Sequence, residues 1–179
     1  MSEIAQQKFY FKHLYGANPH EWGVVGFPKS QLPKKALKGY GPTDIVLLAI
    51  TKFPDLYPEH WQGQQGKIFA ACTLVSMDVK TREVANPEMV QRYPLVVQRW
   101  AQATPINELW SFHQPKDYDE FGEGELTKLA STKRGHLINL EGYPAIYGDV
   151  RTWFEAAPKD PLEVYHSERT KELLANMRQ

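Results

Sequence analysis

This sequence has only one cysteine, no long apolar run and no excess of either charge. Its single cysteine, Cys72, has no partner for an internal disulfide and lies within the apolar run 68–75, where a small thiol packs well. No window approaches eighteen uncharged apolar residues, and Glu3, Lys8 and Lys12 occur near the start, which argues against a membrane span and a secretory leader. We therefore expect a reduced, cytoplasmic protein that does not associate with membranes.

The charges balance, because 21 Lys and Arg residues face 21 Asp and Glu residues and the formal net charge is zero. A chain without an overall positive field is not a uniformly basic nucleic-acid-coating protein, so any contact with nucleic acid must come from a local patch. The length of 179 residues and the 42% content of hydrophobic residues fit one domain with a substantial core. We expect residues 1–179 to form that domain.

Catalytic and metal-binding motifs are missing too. The six histidines form no H-x-x-x-H, H-x-H or Cys-His pair, whereas a structural zinc site needs about four converging ligands. No G-x-S-x-G or S-x-x-K sequence presents a nucleophile, and Gly23 and Gly26 are too closely spaced for a Walker-type phosphate loop. The sequence thus predicts no catalytic residue, no metal site and no cofactor, and it favours a binding module over an enzyme.

The apolar patterning that is present predicts an α+β fold. Five strands are predicted, over 8–15, 44–52, 67–79, 106–112 and 136–140. Short helices are predicted over 30–37, 86–101, 147–154 and 162–177. Ser30 would cap the first helix and Pro94 would break the second, while segments 53–66 and 117–125 are predicted loops, the latter acidic and solvated. We expect one small mixed, curved sheet or barrel with short helices packed at its ends and a carboxy-terminal helix.

Aromatic residues make up 12% of the chain, and several lie in predicted loops or at strand ends. Rings at strand ends can converge at the mouth of a barrel, where stacking suits a flat heteroaromatic ligand. The rings with this placement are Trp22, Phe27, Tyr57, His60, Trp61, Trp110, Phe112 and His113. The alternative is that they close the end of the barrel as core residues.

A local group of lysines accompanies these rings. Between Trp22 and Thr43 there are four lysines and no acid, and two further cations precede Gly135; the six are Lys29, Lys34, Lys35, Lys38, Lys133 and Arg134. A protein that reads an extruded base needs cations for the phosphates beside rings for the base, which is the arrangement predicted here. The alternative is an ordinary solvated helix face.

The order of these parts resembles the EVE branch of the PUA-like superfamily, small barrels that often bind modified bases in DNA or RNA. The resemblance rests on Trp22-Gly23-Val24, the lysine-bearing helix and Gly41-Pro42-Thr43-Asp44 before an apolar strand, and on the run Gly66-Lys67-Ile68-Phe69-Ala70-Ala71-Cys72-Thr73-Leu74-Val75. It covers about residues 8–80, and it departs from the family where two residues separate Gly41 from Asp44. It implies a base pocket walled by Trp22, Phe27, Trp61, Trp110 and Phe112, with Ser30, Ser111 and His113 reading the polar edge of the base.

Two other functions stay open at this point. The acids of segment 117–125 could serve a small hydrolase or nucleotide-processing enzyme together with His113 or His136. The aromatic surface could instead bind another protein. Our leading hypothesis is a non-enzymatic module that recognises a modified nucleobase in DNA or RNA, with an effector protein as a possible further partner.

Overall fold

The structure is a computed structural model that describes residues 7–15 and 17–177. Its strands are β1 (Phe9–Leu14), β2 (Val24–Phe27), β3 (Ile45–Ile50), β4 (Lys67–Leu74), β5 (Val79–Lys80), β6 (Gln102–Asp117), β7 (Ile138–Asn139) and β8 (Lys159–Leu162). Its α-helices are α1 (Pro19–Trp22), α2 (Pro33–Ala36), α3 (Thr81–Val84), α4 (Pro87–Arg92), α5 (Pro94–Arg99), α6 (Glu125–Thr132), α7 (Pro144–Ala156) and α8 (Glu168–Met177). Short 3-10 helices span Pro58–Trp61, Tyr118–Gly124 and Leu140–Gly142. Within the described ranges, no helix combines the length and the apolar character that crossing a membrane requires.

The strands form one mixed sheet in the order β2-β6-β4-β3-β1-β7, and β5 and β8 also pair with β6. Strands β1 and β3 are parallel, and the other pairs are antiparallel. The sheet curls strongly into a half-barrel. The fold also contains short helices and the carboxy-terminal helix α8. All five predicted strands belong to this sheet, so the predicted α+β class and the single curved sheet are confirmed.

Irregular pairing contributes to the curl. The register between β4 and β6 shifts twice, and that between β3 and β4 shifts once, between Leu48 and Ala49. Such bulges bend a strand and increase its twist. Strand β6 pairs with β2 and β5 at its start and with β4 and β8 further along, so one long strand joins the two parts of the sheet.

Apolar side chains cover both faces of the central strands, and every residue of β1 and β3 is buried. One cluster contains Phe9, Phe11 and the helices α6 and α7. A second lies on the opposite face and contains Tyr10 and Leu14. A third packs beneath α3 to α5, at the end of β1, and forms the surroundings of the site described below.

Several boundaries differ from the predictions. The helix expected over 30–37 is one turn, α2, which has Leu32 and not Ser30 at its N-cap. Pro94 does separate α4 from α5, because proline lacks the N–H that a continuous helix requires. The strand predicted to reach residue 79 ends at Leu74, and the carboxy-terminal helix begins only at Glu168, because Leu162 pairs with β6 as part of β8.

The acidic segment 117–125 is not a plain solvated loop. It forms the 3-10 helix Tyr118–Gly124, in which Tyr118 and Phe121 are buried in the first cluster. Only its acidic side chains face solvent, because the two rings anchor the segment against α6 and α7.

Candidate functional site

A cavity lies at the carboxyl end of β1, where the strand meets α1, α3 and α5. Its walls comprise Lys12, His13, Leu14, Tyr15, Ala17, Trp22, Val24, Gly26, Thr81, Val96 and Trp100. The enclosed volume is about 20 Å³, and the whole depression with its solvent-open mouth is about 360 Å³. The closed cavity thus has room for about one water molecule. None of the described residues that line it is acidic.

Two rings form the stacked wall of this cavity. Tyr15 and Trp100 lie with ring centroids 5.4 Å apart and planes 25° apart, and Trp22 provides a third buried ring. The Thr81 hydroxyl donates a hydrogen bond to the Trp100 carbonyl and thereby holds the end of α5 in place. The Trp100 indole is therefore a fixed part of the wall.

The Trp100 side chain fits only because two of its neighbours are glycines, which have no side chain. A Cβ atom at Gly26 would lie 2.6 Å from the Cβ of Trp100, which is too close for any side chain. Gly135 has φ +72°, and a Cβ there would lie 2.9 Å from Cη2 of the same indole. The position of Trp100 therefore depends on glycine at both places.

Arg99 covers the stacked rings from the solvent side. Its guanidinium lies 5.3 Å from the Tyr15 centroid and 5.4 Å from the Trp100 centroid, and it forms an ion pair with Asp55. Burial raises the pKa of Tyr15, and the positive charges of Arg134 and Arg99 partly oppose that rise. Two arginines thus lie close to one edge of the cavity.

Lys12 is the most unusual residue of the site, because its side chain is fully buried at 1% exposure. Its Nζ donates a 2.6 Å hydrogen bond to the Gly135 carbonyl and lies 5.2 Å from the Phe27 centroid and 5.3 Å from the Trp100 centroid. No described carboxylate forms an ion pair with it. Burial lowers the pKa of Lys12 from 10.5 to about 7.

His13 is the second polar residue in the wall. Its Nε2 atom is buried and has no hydrogen-bond partner among the described residues, although its ring packs against Phe11 and Tyr118. Burial, followed by the charges of Lys12 and Arg134, lowers the pKa of His13 to about 3. The imidazole is therefore neutral at physiological pH, with one nitrogen that donates and one that accepts.

The six predicted phosphate-binding cations, which we call the cationic surface, are Lys29, Lys34, Lys35, Lys38, Lys133 and Arg134. All six are exposed, and none forms an ion pair with another residue in the described part of the chain. Hydrogen bonds join their two segments: Ser30 Oγ lies 2.8 Å from His136 Nε2, and the Gln31 amide makes two bonds to the backbone of Leu137.

Gly135 links the cationic surface to two residues of the cavity wall, Lys12 and Trp100. Gly135 directly follows Lys133 and Arg134, its backbone packs on the Trp100 indole, and its carbonyl accepts the bond from Lys12. Burial, followed by the charges of Lys12, Lys133 and Lys35, lowers the pKa of His136. The local excess of positive charge that the sequence predicts is thus found beside an aromatic cavity.

The structure does not bring the predicted pocket rings together. Trp22 lines the cavity, whereas Phe27 belongs to the second core cluster and contacts the site only through the Lys12 ammonium. Trp61 instead belongs to the second core cluster, where it is 5% exposed and packs 5.8 Å from Phe69. The proline and glycine residues around Trp61 predict an exposed loop. The segment instead forms the 3-10 helix Pro58–Trp61, in which the Trp61 side chain is buried.

Trp110 and Phe112 are also separate from the cavity. Both pack against the first cluster on the other side of the sheet, where Phe112 lies 4.4 Å from Trp153. Neighbouring Ser111 pairs with Asp160 of β8, and His113 Nε2 lies 2.8 Å from a carboxylate oxygen of Asp160. Ser30, the remaining polar residue of the predicted pocket, is exposed and bonds to His136. Of the predicted base-pocket residues, only Trp22 lines the cavity.

The acids considered for a hydrolase are held by their own neighbours. Asp119 accepts hydrogen bonds from Lys52 and Thr127, which lower the pKa of its carboxyl group. Neither His113 nor His136 bonds to an acid of segment 117–125. Across the described residues, no three His, Cys, Asp or Glu side chains come together as a possible metal site.

Three residues of the cavity, Lys12, Tyr15 and Trp100, were not among the predicted site residues. One sequence signal for Lys12 exists, because a lone lysine interrupts the otherwise apolar and aromatic run Phe9–Leu14. Buried lysines are rare, so a lysine within a strand that must be covered on both faces indicates a special environment. No comparable signal marks Trp100, whose role depends on the distant glycines that pack against it.

Comparison with known proteins adds no further constraint. No protein-family model matches the sequence, and neither a curated protein nor a solved structure is significantly similar to it. The cavity and the cationic surface are therefore the features from which a function can be inferred.

Proposed function

We propose that this protein is a non-enzymatic binding module that holds a modified nucleobase of DNA or RNA in the cavity walled by Tyr15, Trp22 and Trp100. The six residues of the cationic surface hold the neighbouring phosphates. The pocket is thus assigned to the end of β1, and Trp61 and Trp110 are assigned to the core.

One observation carries the proposal: cations that form no ion pair with any described residue lie next to a cavity lined by aromatic rings. Bases stack on aromatic side chains with about 1–3 kcal/mol per base, and lysines and arginines attract phosphates without regard to sequence. Gly135 joins the two features, because it contacts Trp100 and directly follows Lys133 and Arg134. We propose that a nucleotide whose base stacks on these rings turns its phosphate towards these cations.

Binding requires the cavity to open, because the closed volume of about 20 Å³ is too small for a base. Arg99 lies over the rings and is held by Asp55 in an exposed ion pair. Exposed pairs of this kind contribute only about 0–1 kcal/mol, so displacing the Arg99 side chain costs little. We propose that the entering base takes the place of this guanidinium over Tyr15 and Trp100.

We further propose that the protein is a PUA-like module of the EVE type. The strongly curled mixed sheet and the cavity at Trp22, within the segment that carries the resemblance, support this assignment. The proposal gives the site a function that needs no cofactor or metal.

The test compares two buried tryptophans. Fluorescence anisotropy measures the binding of oligonucleotides with one central 5-methylcytosine, 5-hydroxymethylcytosine, 5-carboxycytosine or N6-methyladenine, as DNA and as RNA, against their unmodified twins. We expect at least one modified oligonucleotide to bind about tenfold or more tightly than its twin. Trp100→Leu removes this preference, whereas the matched variant Trp61→Leu keeps it.

Thermal unfolding of both variants provides the control. Both indoles are more than nine-tenths buried, so each variant loses about 2–4 kcal/mol of stability from lost packing. Equal base preference in Trp100→Leu and Trp61→Leu would contradict the proposed pocket. The phosphate contacts are tested separately, because neutralising about three phosphates gives a slope near −3 for log K against log salt on duplex DNA.

A further inference from the structure

We propose that the ligand group recognised inside the cavity is an anionic oxygen, such as a carboxylate on a flat ring, and that it pairs with Lys12. This inference rests on the proposed function for its nucleic-acid context and names the chemistry of the base. It concerns a contact inside the cavity and is distinct from the phosphate contacts on the cationic surface.

No carboxylate of the described residues pairs with the ammonium group of Lys12. Its side chain is fully buried, and its hydrogen-bond acceptors are the carbonyl of Gly135 at 2.6 Å and that of His13 at 3.5 Å, the second at the limit for a hydrogen bond. Burying a charge is costly unless an opposite charge accompanies it. Among the described residues, the protonated form of Lys12 therefore meets no anion.

In the described part of the chain, the charged side chains identified near Lys12 are positive. His13 is neutral, Arg99 and Arg134 lie near the Tyr15 edge, and Lys133 and Lys12 both act on His136. Asp55, the acid that pairs with Arg99, is exposed and does not line the cavity wall. An anionic group that enters would thus meet a positive potential in a site of low dielectric constant, where charge-assisted hydrogen bonds are strong.

Neutral and anionic ligands should therefore differ. A methyl group leaves the Lys12 ammonium unpaired, whereas a carboxylate accepts from Nζ and supplies the missing charge. The pairing also raises the pKa of Lys12 towards its ordinary value, because a nearby anion favours the ammonium form.

The experiment uses free bases, so that it does not depend on phosphate binding. Isothermal titration compares 5-carboxycytosine with cytosine-5-carboxamide, a neutral probe of nearly the same shape, on the full chain at pH 7. We expect the carboxylate to bind about ten- to a hundredfold more tightly, since a hydrogen bond between charged groups is much stronger than a neutral one. Lysine side-chain 15N NMR should report a higher pKa for Lys12 in the complex.

Two variants complete the test. Lys12→Met keeps an unbranched chain and should abolish the difference between the probes, and Lys80→Met, at an exposed lysine of β5, should preserve it. Equal binding of the two probes, or no binding of either, would overturn the inference. If 5-carboxycytosine binds but no modified oligonucleotide is preferred, the inference stands and the nucleic-acid function fails. If modified oligonucleotides are preferred without any dependence on Lys12, the function stands and the inference fails.

Discussion

Replacing Lys12 by methionine should change how the stability of this protein depends on pH. The pKa of Lys12 is lowered from 10.5 to about 7 by burial, so below pH 7 the folded state carries the full cost of a buried ammonium. Between pH 7 and 10.5 the folded lysine has lost its proton while the unfolded one retains it. The unfolded state then binds more protons, and the free energy of unfolding increases with pH.

The size of this effect follows from the pKa difference. At about 1.4 kcal/mol per pH unit, the wild-type protein should gain about 2–3 kcal/mol between pH 7 and pH 9 from Lys12, with a limit of about 5 kcal/mol at higher pH. His13 and His136 have lowered pKa values and titrate below this window. Cys72 has a raised pKa and lowers stability only above about pH 9, and it does so equally in both proteins.

The assay is urea unfolding at pH 6.5, 7.5, 8.5 and 9.0. Lys12→Met should be the more stable protein at pH 6.5, and its advantage should shrink by about 2–3 kcal/mol as the pH reaches 9. Lys80→Met, which removes an exposed lysine, should follow the wild-type curve. Parallel curves for wild type and Lys12→Met would refute the view that Lys12 is a buried, uncompensated ammonium.

Three further outcomes are expected. Gly26→Ala places a Cβ 2.6 Å from the Cβ of Trp100. Thermal unfolding should therefore show a loss of stability of about 1–3 kcal/mol, and the preferred modified oligonucleotide should bind more weakly. Unchanged binding would show that the position of Trp100 does not matter for the ligand. Asp55→Asn removes the ion pair of Arg99 and should raise the affinity for the preferred modified oligonucleotide up to about fivefold in anisotropy titrations. A reduced affinity would contradict the view that Arg99, held by Asp55, covers Tyr15 and Trp100. Lys133→Glu should lower the affinity for modified and unmodified oligonucleotides by the same factor. A loss of affinity for only one of them would argue against a phosphate contact.

The sheet could be predicted from the sequence because its central strands have a strong local signal. The apolar runs of β3 and β4 must be covered on both faces, and Pro94 must break a helix in any context. The short strands β2, β5 and β8 lack such a signal. They are strands because they pair with the long strand β6, and that pairing depends on the tertiary fold.

The cavity could be predicted only in part for a similar reason. The lysine-rich segment and Trp22 were identified because residue type and local order reveal them. The sequence could not show that Trp100, and not Trp61, lines the cavity. The proline and glycine neighbours of Trp61 suggest an exposed side chain, whereas the helical spacing around Trp100 suggests a core residue. Gly26 and Gly135 decide the position of Trp100 from 74 and 35 residues away, a distance over which sequence pattern carries no information.

The indole N–H signals of the five tryptophans offer the most direct test of the central claim, that the cavity at Tyr15, Trp22 and Trp100 holds the modified base. A 15N correlation spectrum of the wild-type protein is recorded with the most tightly bound modified oligonucleotide and with its unmodified twin. We predict that the modified base selectively shifts the signals of Trp22 and Trp100 and leaves that of Trp61 in place. Selective shifts at Trp61, or identical spectra with the two oligonucleotides, would contradict the account.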